Sequence, residues 1–192
     1  IISKGADWFS SIGTEKSKGT AVFALTGNIA NCGLVEVAMG TTLREIIYDH
    51  AGGIKNGKKL KAVFPGGIST PVLPADCTDC AMDFVSVPKA GSMLGSGAVI
   101  VMDETVCMVK IAHRAMTFFE RESCGKCTPC REGTEWLSKI LERIEKGWGR
   151  NEDISLLADI SNNIFGKSFC ALGDGAACVM NSILKHFRAE FE

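Results

Sequence analysis

The first half of the chain alternates apolar and polar residues in short runs that are typical of β-strands. TAVFALTG and GLVEVAMG are two such runs, and the asparagine-rich turn between them is typical of a hairpin. TTLREIIYDHAGG has a Thr N-cap, apolar residues at helical spacing and closing glycines, so it predicts a helix. KLKAVFPGG and SGAVIVMD predict two more strands. A hairpin, a helix and returning strands predict a small α+β domain of the β-grasp kind.

The pattern changes after Asp103, where apolar residues recur at helical spacing. Glycine-containing stretches help to divide this part into four predicted helices. Four helices in succession are typical of a helical bundle. The first eighteen residues show no sustained periodicity. We therefore predict three parts: a connector over residues 1–18, a β-grasp domain over residues 19–102 and an all-α four-helix bundle over residues 103–192.

Composition and charge exclude several classes of function. The 192 residues carry 21 basic and 22 acidic side chains, and this balance argues against nucleic acid or a polybasic membrane patch. The expected partners are therefore other proteins. No run of apolar residues reaches the length of about eighteen that a membrane-spanning helix needs, so no membrane span is predicted.

The cysteines indicate metal chemistry in a reducing compartment. There are nine of them, an odd number that excludes a complete disulfide framework, and three lie within one short segment. Because no signal-peptide pattern precedes them, we predict metal binding and a cytosolic location. Since the sequence begins with Ile1 rather than Met, we also expect that residues precede it in the whole protein.

The segment ESCGKCTPCREG places three cysteines at the spacing of an iron-sulfur ligand loop. Cys124, Cys127 and Cys130 form a CxxCxxC pattern, by which one loop can present three thiolates to three corners of a 4Fe-4S cube. In bacterial ferredoxins a further cysteine follows four residues later, but Thr134 occupies that position here. We therefore predict that the fourth ligand is distant in sequence.

Two cysteines near the end of the chain are candidates for the fourth ligand. Cys170 lies in the loop-like stretch SFCALGDG, whereas Cys178 lies inside the predicted last helix. A loop residue reaches a cluster more easily, so Cys170 is favoured. If that helix starts near Asp174, its N-terminus would favour a negatively charged cluster. Three basic residues near these cysteines would either reduce the cluster's charge or serve as solvated surface charges: Lys126, Arg131 and Lys167.

Other metal sites fit the pattern less well. A structural zinc site also uses four cysteines, but it usually takes two CxxC pairs rather than three cysteines in close succession. A radical-generating cluster usually has a longer first gap between its cysteines.

Cys77 and Cys80 form a lone CxxC, which is a weak signal of redox chemistry or of half a zinc site. His50 and His113 are expected to have cap or core roles rather than to bind metal.

Four motifs together resemble one family across essentially the whole chain. They are FPGGISTPVLPAD, KAGSMLGSGAVIVMD, ESCGKCTPCREG and FCALGDGAA. The family comprises the NADH-binding flavoprotein (F-type) subunits of respiratory complex I and their relatives in soluble NAD-linked hydrogenases and formate dehydrogenases. The resemblance implies a parent protein in three parts: a flavin and NADH domain, an SLBB-like β-grasp domain and a helical domain with one 4Fe-4S cluster.

The resemblance also implies which residues and cofactors act. It implies that Cys124, Cys127, Cys130 and Cys170 are the cluster ligands. FMN and NAD would lie on an N-terminal domain whose glycine-rich nucleotide motif has no counterpart in this sequence. The glycines of GSMLGSGAVIVMD precede a strand rather than follow one, so they do not form a dinucleotide fingerprint. We therefore predict no catalytic residue here, and we expect that this chain alone does not oxidise NADH.

The implied function is electron relay within an NADH:quinone oxidoreductase. Flavin would take a hydride from NADH, and the cluster would pass single electrons to neighbouring subunits, which are the implied partners. The implied location is cytoplasmic, in the peripheral arm of a membrane-associated complex or in a soluble complex.

Two alternative functions remain. GTEKSKGT resembles the hydrogenase-linked branch, so the chain is alternatively part of a soluble NAD(P)-linked hydrogenase or formate dehydrogenase. PGGISTPVLPAD, CALGDGAA and an ending at HFRAEFE without a ferredoxin-like extension favour complex I. The second alternative is a docking module whose metal site is purely structural.

Overall fold

The computed structural model describes residues 1–192 and divides them into two units, Ile1–Thr105 and Val106–Glu192. The first unit is built on a sheet and the second on helices. This confirms the predicted α+β class. No helix has both the length and the apolar character that crossing a bilayer requires.

A mixed five-stranded sheet organises the first unit. Its strands are β1 (Thr20–Gly27), β2 (Gly33–Ala38), β3 (Leu60–Phe64), β4 (Leu73–Pro74) and β5 (Ala98–Asp103), in the spatial order β2-β1-β5-β3-β4. The predicted hairpin is present, because β1 and β2 pair antiparallel with Phe23 opposite Val35. The last strand, β5, enters the middle of the sheet, parallel to β1 and antiparallel to β3.

The predicted helix after the hairpin packs on this sheet. It begins as α2 (Leu43–Glu45) and continues as a π-helical turn over Ile46–His50. Thr42 and Glu45 form a reciprocal capping box, in which each side chain bonds the other residue's backbone N–H. The buried apolar face of this helix joins one core with the inward side chains of the sheet: Leu43, Ile46, Ile47, Phe23, Leu25, Val99 and Val101.

Two short helices and two tight turns complete the first unit. They are α1 (Ala6–Ser10), α3 (Ser86–Lys89), and the turns Lys55–Gly57 and Ala75–Cys77 of 3-10 type, with Asn56 in the left-handed region at φ 59°. The helix α1 lies within the stretch that the sequence analysis described as a connector.

Four long helices build the second unit. They are α4 (Met108–Glu122), α5 (Thr128–Glu145), α6 (Asp153–Ile164) and α7 (Ala171–Phe187), followed by a 3-10 turn over Arg188–Glu190. Each helix has an apolar face that is buried against the others; on α4, for example, Met108, Ala112, Ala115 and Met116 are buried. This amphipathic pattern matches the helical periodicity of the sequence.

The predicted start of the last helix is wrong. The sequence placed it near Asp174, but α7 begins at Ala171, so Gly173 and Asp174 lie within its first turn. A Cβ at Gly173 would lie 2.6 Å from Ser168 Oγ and 3.1 Å from Ile164 Cγ2. Gly173 therefore allows close packing at the start of α7 and does not break the helix.

Candidate metal centre

One cavity in the second unit brings four cysteines together. Cys124 lies in the loop between α4 and α5, Cys127 is the N-cap of α5, Cys130 lies in the first turn of α5, and Cys170 is the N-cap of α7. All four line the same cavity. Residues about forty positions apart in sequence therefore converge because the N-termini of α5 and α7 meet at this point.

Cys178 does not line this cavity. It lies inside α7, half-buried, and its burial raises the pKa of its thiol, with a smaller contribution from the negative charge of Asp174. A raised pKa disfavours the thiolate, which is the form that binds metal. Cys170, and not Cys178, therefore lies at the cavity with the three cysteines of the loop.

Short-range hydrogen bonds shape the loop that carries Cys124. The backbone N–H of Gly125 donates to Ser123 Oγ over 3.3 Å, and Arg131 Nη1 donates to the carbonyl of Gly125 over 2.8 Å. Gly125 has φ 75°, a conformation that a residue without Cβ adopts readily. Pro129 follows in the first turn of α5, where its missing N–H and fixed φ are tolerated. The loop therefore turns sharply into α5 with its cysteines on one side.

Two of the cysteine sulfurs already have hydrogen-bond partners. The backbone N–H of Phe169 donates to Cys127 Sγ over 3.4 Å, and Ser123 Oγ lies 3.3 Å from Cys130 Sγ. Donors of this kind stabilise negative charge on sulfur. The contact from Phe169 also links the loop before α7 to the N-terminus of α5.

The electrostatics of the cavity favour an anionic occupant. α5 and α7 each begin at a cysteine of the cavity, and neither helix has a side-chain cap on its first N–H groups. The N-terminus of a helix carries a partial positive charge and unbonded donors. Among the charged residues, Lys126 and Glu122 both line the cavity, so the positive charge at the site comes from the helix N-termini. Arg131 is instead paired with Glu132, and Lys167 Nζ donates to Asn163 Oδ1.

The four cysteines fit an iron-sulfur cube. Nowhere in the chain do three His, Cys, Asp or Glu side chains come close enough together to hold one metal ion. A 4Fe-4S cube binds each thiolate through a different iron, so its four ligands stand farther apart than the ligands of zinc. The cavity also contains an unsatisfied donor, because Ser168, one of its lining residues, has a buried hydroxyl oxygen without a partner. The donor set, the helix N-termini and this hydroxyl all fit a cluster.

The other candidate residues are not among those that line this cavity. Cys77 and Cys80 are partly buried and pack against the core of the first unit, and burial raises the pKa of the Cys80 thiol, as does the neighbouring Cys77. His113 Nδ1 lies 3.8 Å from Glu145 Oε2, and His50 ends the π-helical turn after α2.

The glycine-rich loops of the first unit contact each other. A Cβ on Gly66 would lie 2.4 Å from the carbonyl oxygen of Leu94, and one on Gly95 would lie 2.2 Å from that of Gly66. Ser96 N–H donates to the carbonyl of Gly66 over 2.9 Å. The glycines therefore let two backbone segments pack closely.

Sequence reasoning missed the polar residues beside the cysteines. Ser123 and Ser168 were not predicted to belong to the site, and neither was the backbone N–H of Phe169. The one signal was position, since Ser123 precedes Cys124 and Ser168 lies two residues before Cys170. Adjacent serines are common in loops, so this signal does not identify a role without the fold.

Two family descriptions match the two units. Residues 21–101 match the SLBB domain, and residues 110–192 match the "NADH-ubiquinone oxidoreductase-F iron-sulfur binding region". These matches agree with the sheet-based and helical parts described above.

Relatives of known sequence match the chain from end to end. It is 51% identical to an F-type subunit of the NADH-quinone oxidoreductase of Rhizobium meliloti, covering all of this chain and 45% of that protein. It is 52% identical to the F-type subunit of the NADH-quinone oxidoreductase of Mycobacterium tuberculosis, covering 43% of that protein. The chain is 43% identical to a mitochondrial "NADH-ubiquinone oxidoreductase 51 kDa subunit" of Aspergillus niger and covers 39% of that protein. The chain thus spans less than half the length of these relatives.

A solved structure shares the fold. A chain in the crystal structure of the air-oxidised NAD+-reducing [NiFe]-hydrogenase superposes with a TM-score of 0.89 at 31% identity, covering all of this chain and 32% of that one. Over the length that it spans, the chain is therefore similar to the F-type subunits of NADH-quinone oxidoreductase, with a match to the SLBB domain followed by a match to the iron-sulfur binding region.

Proposed function

We propose that Cys124, Cys127, Cys130 and Cys170 hold one 4Fe-4S cluster. The observation that carries this proposal is the single cavity that all four line, with two of them at helix N-termini. Four thiolates on a cube of iron and sulfide give a net negative group, and the first N–H groups of α5 and α7 favour negative charge. The match of residues 110–192 to an iron-sulfur binding region supports the same assignment.

The function that follows is electron relay in an NADH:quinone oxidoreductase. The cluster, when bound, gives the site one-electron redox chemistry. The protein holds the four thiolates in place, and donors such as Phe169 N–H and Ser123 Oγ stabilise charge on sulfur. FMN and NAD are assigned to another part of the whole protein, because the glycine loops of this chain pack on each other.

The finer organisation belongs to the same proposal. Residues 19–102 are assigned to the β-grasp domain and residues 103–192 to a four-helix bundle that carries the cluster, with residues 1–18 as the connector to a flavin domain. The break between the two units after Thr105 supports this division. The partners are other subunits of the oxidoreductase, and the location is cytoplasmic, in a peripheral arm.

A second candidate function is supported by the structural comparison. The likeness to a chain of an NAD+-reducing [NiFe]-hydrogenase favours a soluble hydrogenase as the alternative parent complex. The sequence identities of 51% and 52% to F-type subunits of the quinone oxidoreductase, against 31% to the hydrogenase chain, favour the quinone oxidoreductase.

Anaerobic reconstitution of the chain with iron and sulfide tests the proposal. We expect a brown protein with about four irons and four sulfides per chain, and a paramagnetic signal after reduction by dithionite. A colourless protein that retains zinc and no iron would contradict the cluster. A cluster that forms but that no reductant reduces would favour a docking module with a structural site.

A further inference from the structure

The hydroxyl oxygen of Ser168 is buried and has no hydrogen-bond partner. It is the one buried side-chain oxygen or nitrogen in the chain of which this is true. It lies in the loop between α6 and α7, two residues before Cys170, and it is one of the residues that line the four-cysteine cavity. A buried hydroxyl without a partner is unfavourable, and such groups are rare in folded proteins. The hydroxyl of Ser168 therefore requires a partner that protein atoms do not supply.

Packing restricts where this hydroxyl can go. A Cβ on Gly173 would lie 2.6 Å from Ser168 Oγ and 3.1 Å from Ser168 Cβ. Ser168 is thus held against the first turn of α7, and only a residue without a side chain fits opposite it. This contact places Ser168 beside the helix end that starts at Cys170.

Two other neutral groups at the cavity already contact sulfur. Ser123 Oγ contacts Cys130 Sγ, and the backbone N–H of Phe169, the residue after Ser168, donates to Cys127 Sγ. Ser123 and Ser168 are the two hydroxyl-bearing residues among those that line the cavity. Ser168 thus carries the same hydroxyl group as Ser123 and lines the same cavity, but its hydroxyl has no partner.

We propose that the Ser168 hydroxyl donates a hydrogen bond to a sulfur of the cluster held by Cys124, Cys127, Cys130 and Cys170, and that this bond raises the reduction potential. The inference rests on the proposed function. Reduction adds one negative charge to the cluster, so a donor to sulfur stabilises the reduced form more than the oxidised form. Ser168 acts on the potential and is not a ligand.

The test compares Ser168→Ala with Ser161→Ala in the full chain, reconstituted anaerobically. Ser161 is a matched control, because it is also a buried serine of the second unit, but its hydroxyl already donates to the carbonyl of Leu157 over 2.8 Å. Redox titration followed by electron paramagnetic resonance gives the potential. Pulsed electron paramagnetic resonance of samples in H2O and in D2O detects exchangeable protons near the cluster.

We expect Ser168→Ala to retain its iron and to titrate at a lower potential. A tenfold change in the ratio of oxidised to reduced protein at a fixed potential corresponds to about 59 mV for one electron. One exchangeable proton coupling should also disappear. Ser161→Ala should match the parent in both measurements, and Ser168→Thr, which keeps a hydroxyl, should stay close to the parent potential.

Gly173→Ala provides a second route if Ser168→Ala does not retain a cluster. It leaves the serine in place but forces its hydroxyl to move, so the potential should again fall. If a variant retains the cluster and shows the same potential and the same proton coupling as the parent, the role of Ser168 is overturned. The proposed function would be unaffected by that result. A parent chain that takes up no iron and sulfide would contradict the proposed function, and this inference with it.

Discussion

Cys124, Cys127 and Cys130 differ from Cys77 and Cys80 in their surroundings. The first three line one cavity, whereas the other two pack against the core of the first unit. The raised pKa of Cys80 leaves little thiolate at neutral pH. Both groups have the CxxC spacing, so the spacing by itself does not distinguish these environments.

Replacing any of the three cavity cysteines with Ser should therefore abolish or severely destabilise the cluster. In the proposed site each thiolate binds one iron corner, and no cysteine besides the four proposed ligands lines the cavity. Iron and sulfide analysis after anaerobic reconstitution gives the measurement. Cys77→Ser is the control and should retain the iron of the parent. Loss of iron in Cys77→Ser together with retention in Cys127→Ser would show that the ligand assignment is wrong.

The proposed fourth ligand can be tested by the same anaerobic reconstitution and iron analysis. Cys170→Ala should lose the cluster or alter its reduced-state magnetic resonance spectrum, because Cys170 lines the cavity from the N-cap of α7. Cys178→Ala should retain both the iron and the spectrum, since Cys178 lies inside the helix, where Ala is a good helix former. An unaltered cluster in Cys170→Ala would overturn this choice.

At the scale of elements, a partly buried ion pair joins α5 to α6. The carboxylate of Asp153, at the start of α6, accepts from Arg143 Nε over 3.1 Å and from the backbone N–H of Arg150 over 2.9 Å. Arg143 Nη2 also bonds this carboxylate. Hydrogen bonding to Arg143 holds the pKa of Asp153 below its ordinary value. The pair therefore stabilises the folded state only while Asp153 is ionised.

Asp153→Asn should lower the free energy of unfolding by about 1–3 kcal/mol at pH 7, because it leaves a partly buried guanidinium without its anion. Since the pKa of Asp153 is lower in the folded state, its contribution is full above the ordinary Asp pKa of about 3.9 and declines as the pH falls below it. Urea denaturation at several pH values measures this. The difference between the variant and the parent should shrink in acid.

Asp159→Asn is the matched control for that experiment. Asp159 lies on the same helix but is exposed, so its replacement should change the free energy of unfolding by less than about 0.5 kcal/mol. A difference between Asp153→Asn and the parent that stays constant as the pH falls well below the ordinary Asp pKa would contradict the role assigned to the ionised carboxylate.

Local signals predicted the elements better than the contacts between them. The hairpin and the Thr42 cap follow from residues adjacent in sequence, and the structure confirms both. The parallel pairing of β5 with β1 depends on contacts between distant residues, so no local pattern specified it. The sequence placed the start of α7 near Asp174, whereas Gly173 already lies within the helix and allows close packing against Ser168. The site divides in the same way: the spacing of the cysteines was visible in sequence, and the buried serine was not.

At the scale of the whole molecule, the chain contains a cluster site but no recognisable dinucleotide site. The SLBB domain and the iron-sulfur region account for residues 21–101 and 110–192, while the curated relatives are more than twice as long as the aligned part. A dinucleotide phosphate is usually cradled by a glycine turn between a strand and the N-terminus of a helix. The glycines before β5 lead into a strand instead, and their backbone contacts Gly66.

We therefore expect this chain by itself to accept electrons without oxidising NADH. Transfer of a hydride requires a bound flavin and a bound nicotinamide in contact, and the packed glycine loops offer no such site, whereas an electron reaches a cluster without covalent contact. The measurement is NADH consumption by the reconstituted chain with added FMN and an artificial acceptor, alongside reduction of the cluster by dithionite. Dithionite should reduce the cluster, and NADH consumption should not exceed that of free FMN under the same conditions. Cys127→Ser, which is expected to lack the cluster, provides the background for the reduction signal. NADH consumption well above the rate with free flavin would contradict this expectation. It would show that residues of this chain form a nucleotide site and take part in hydride transfer.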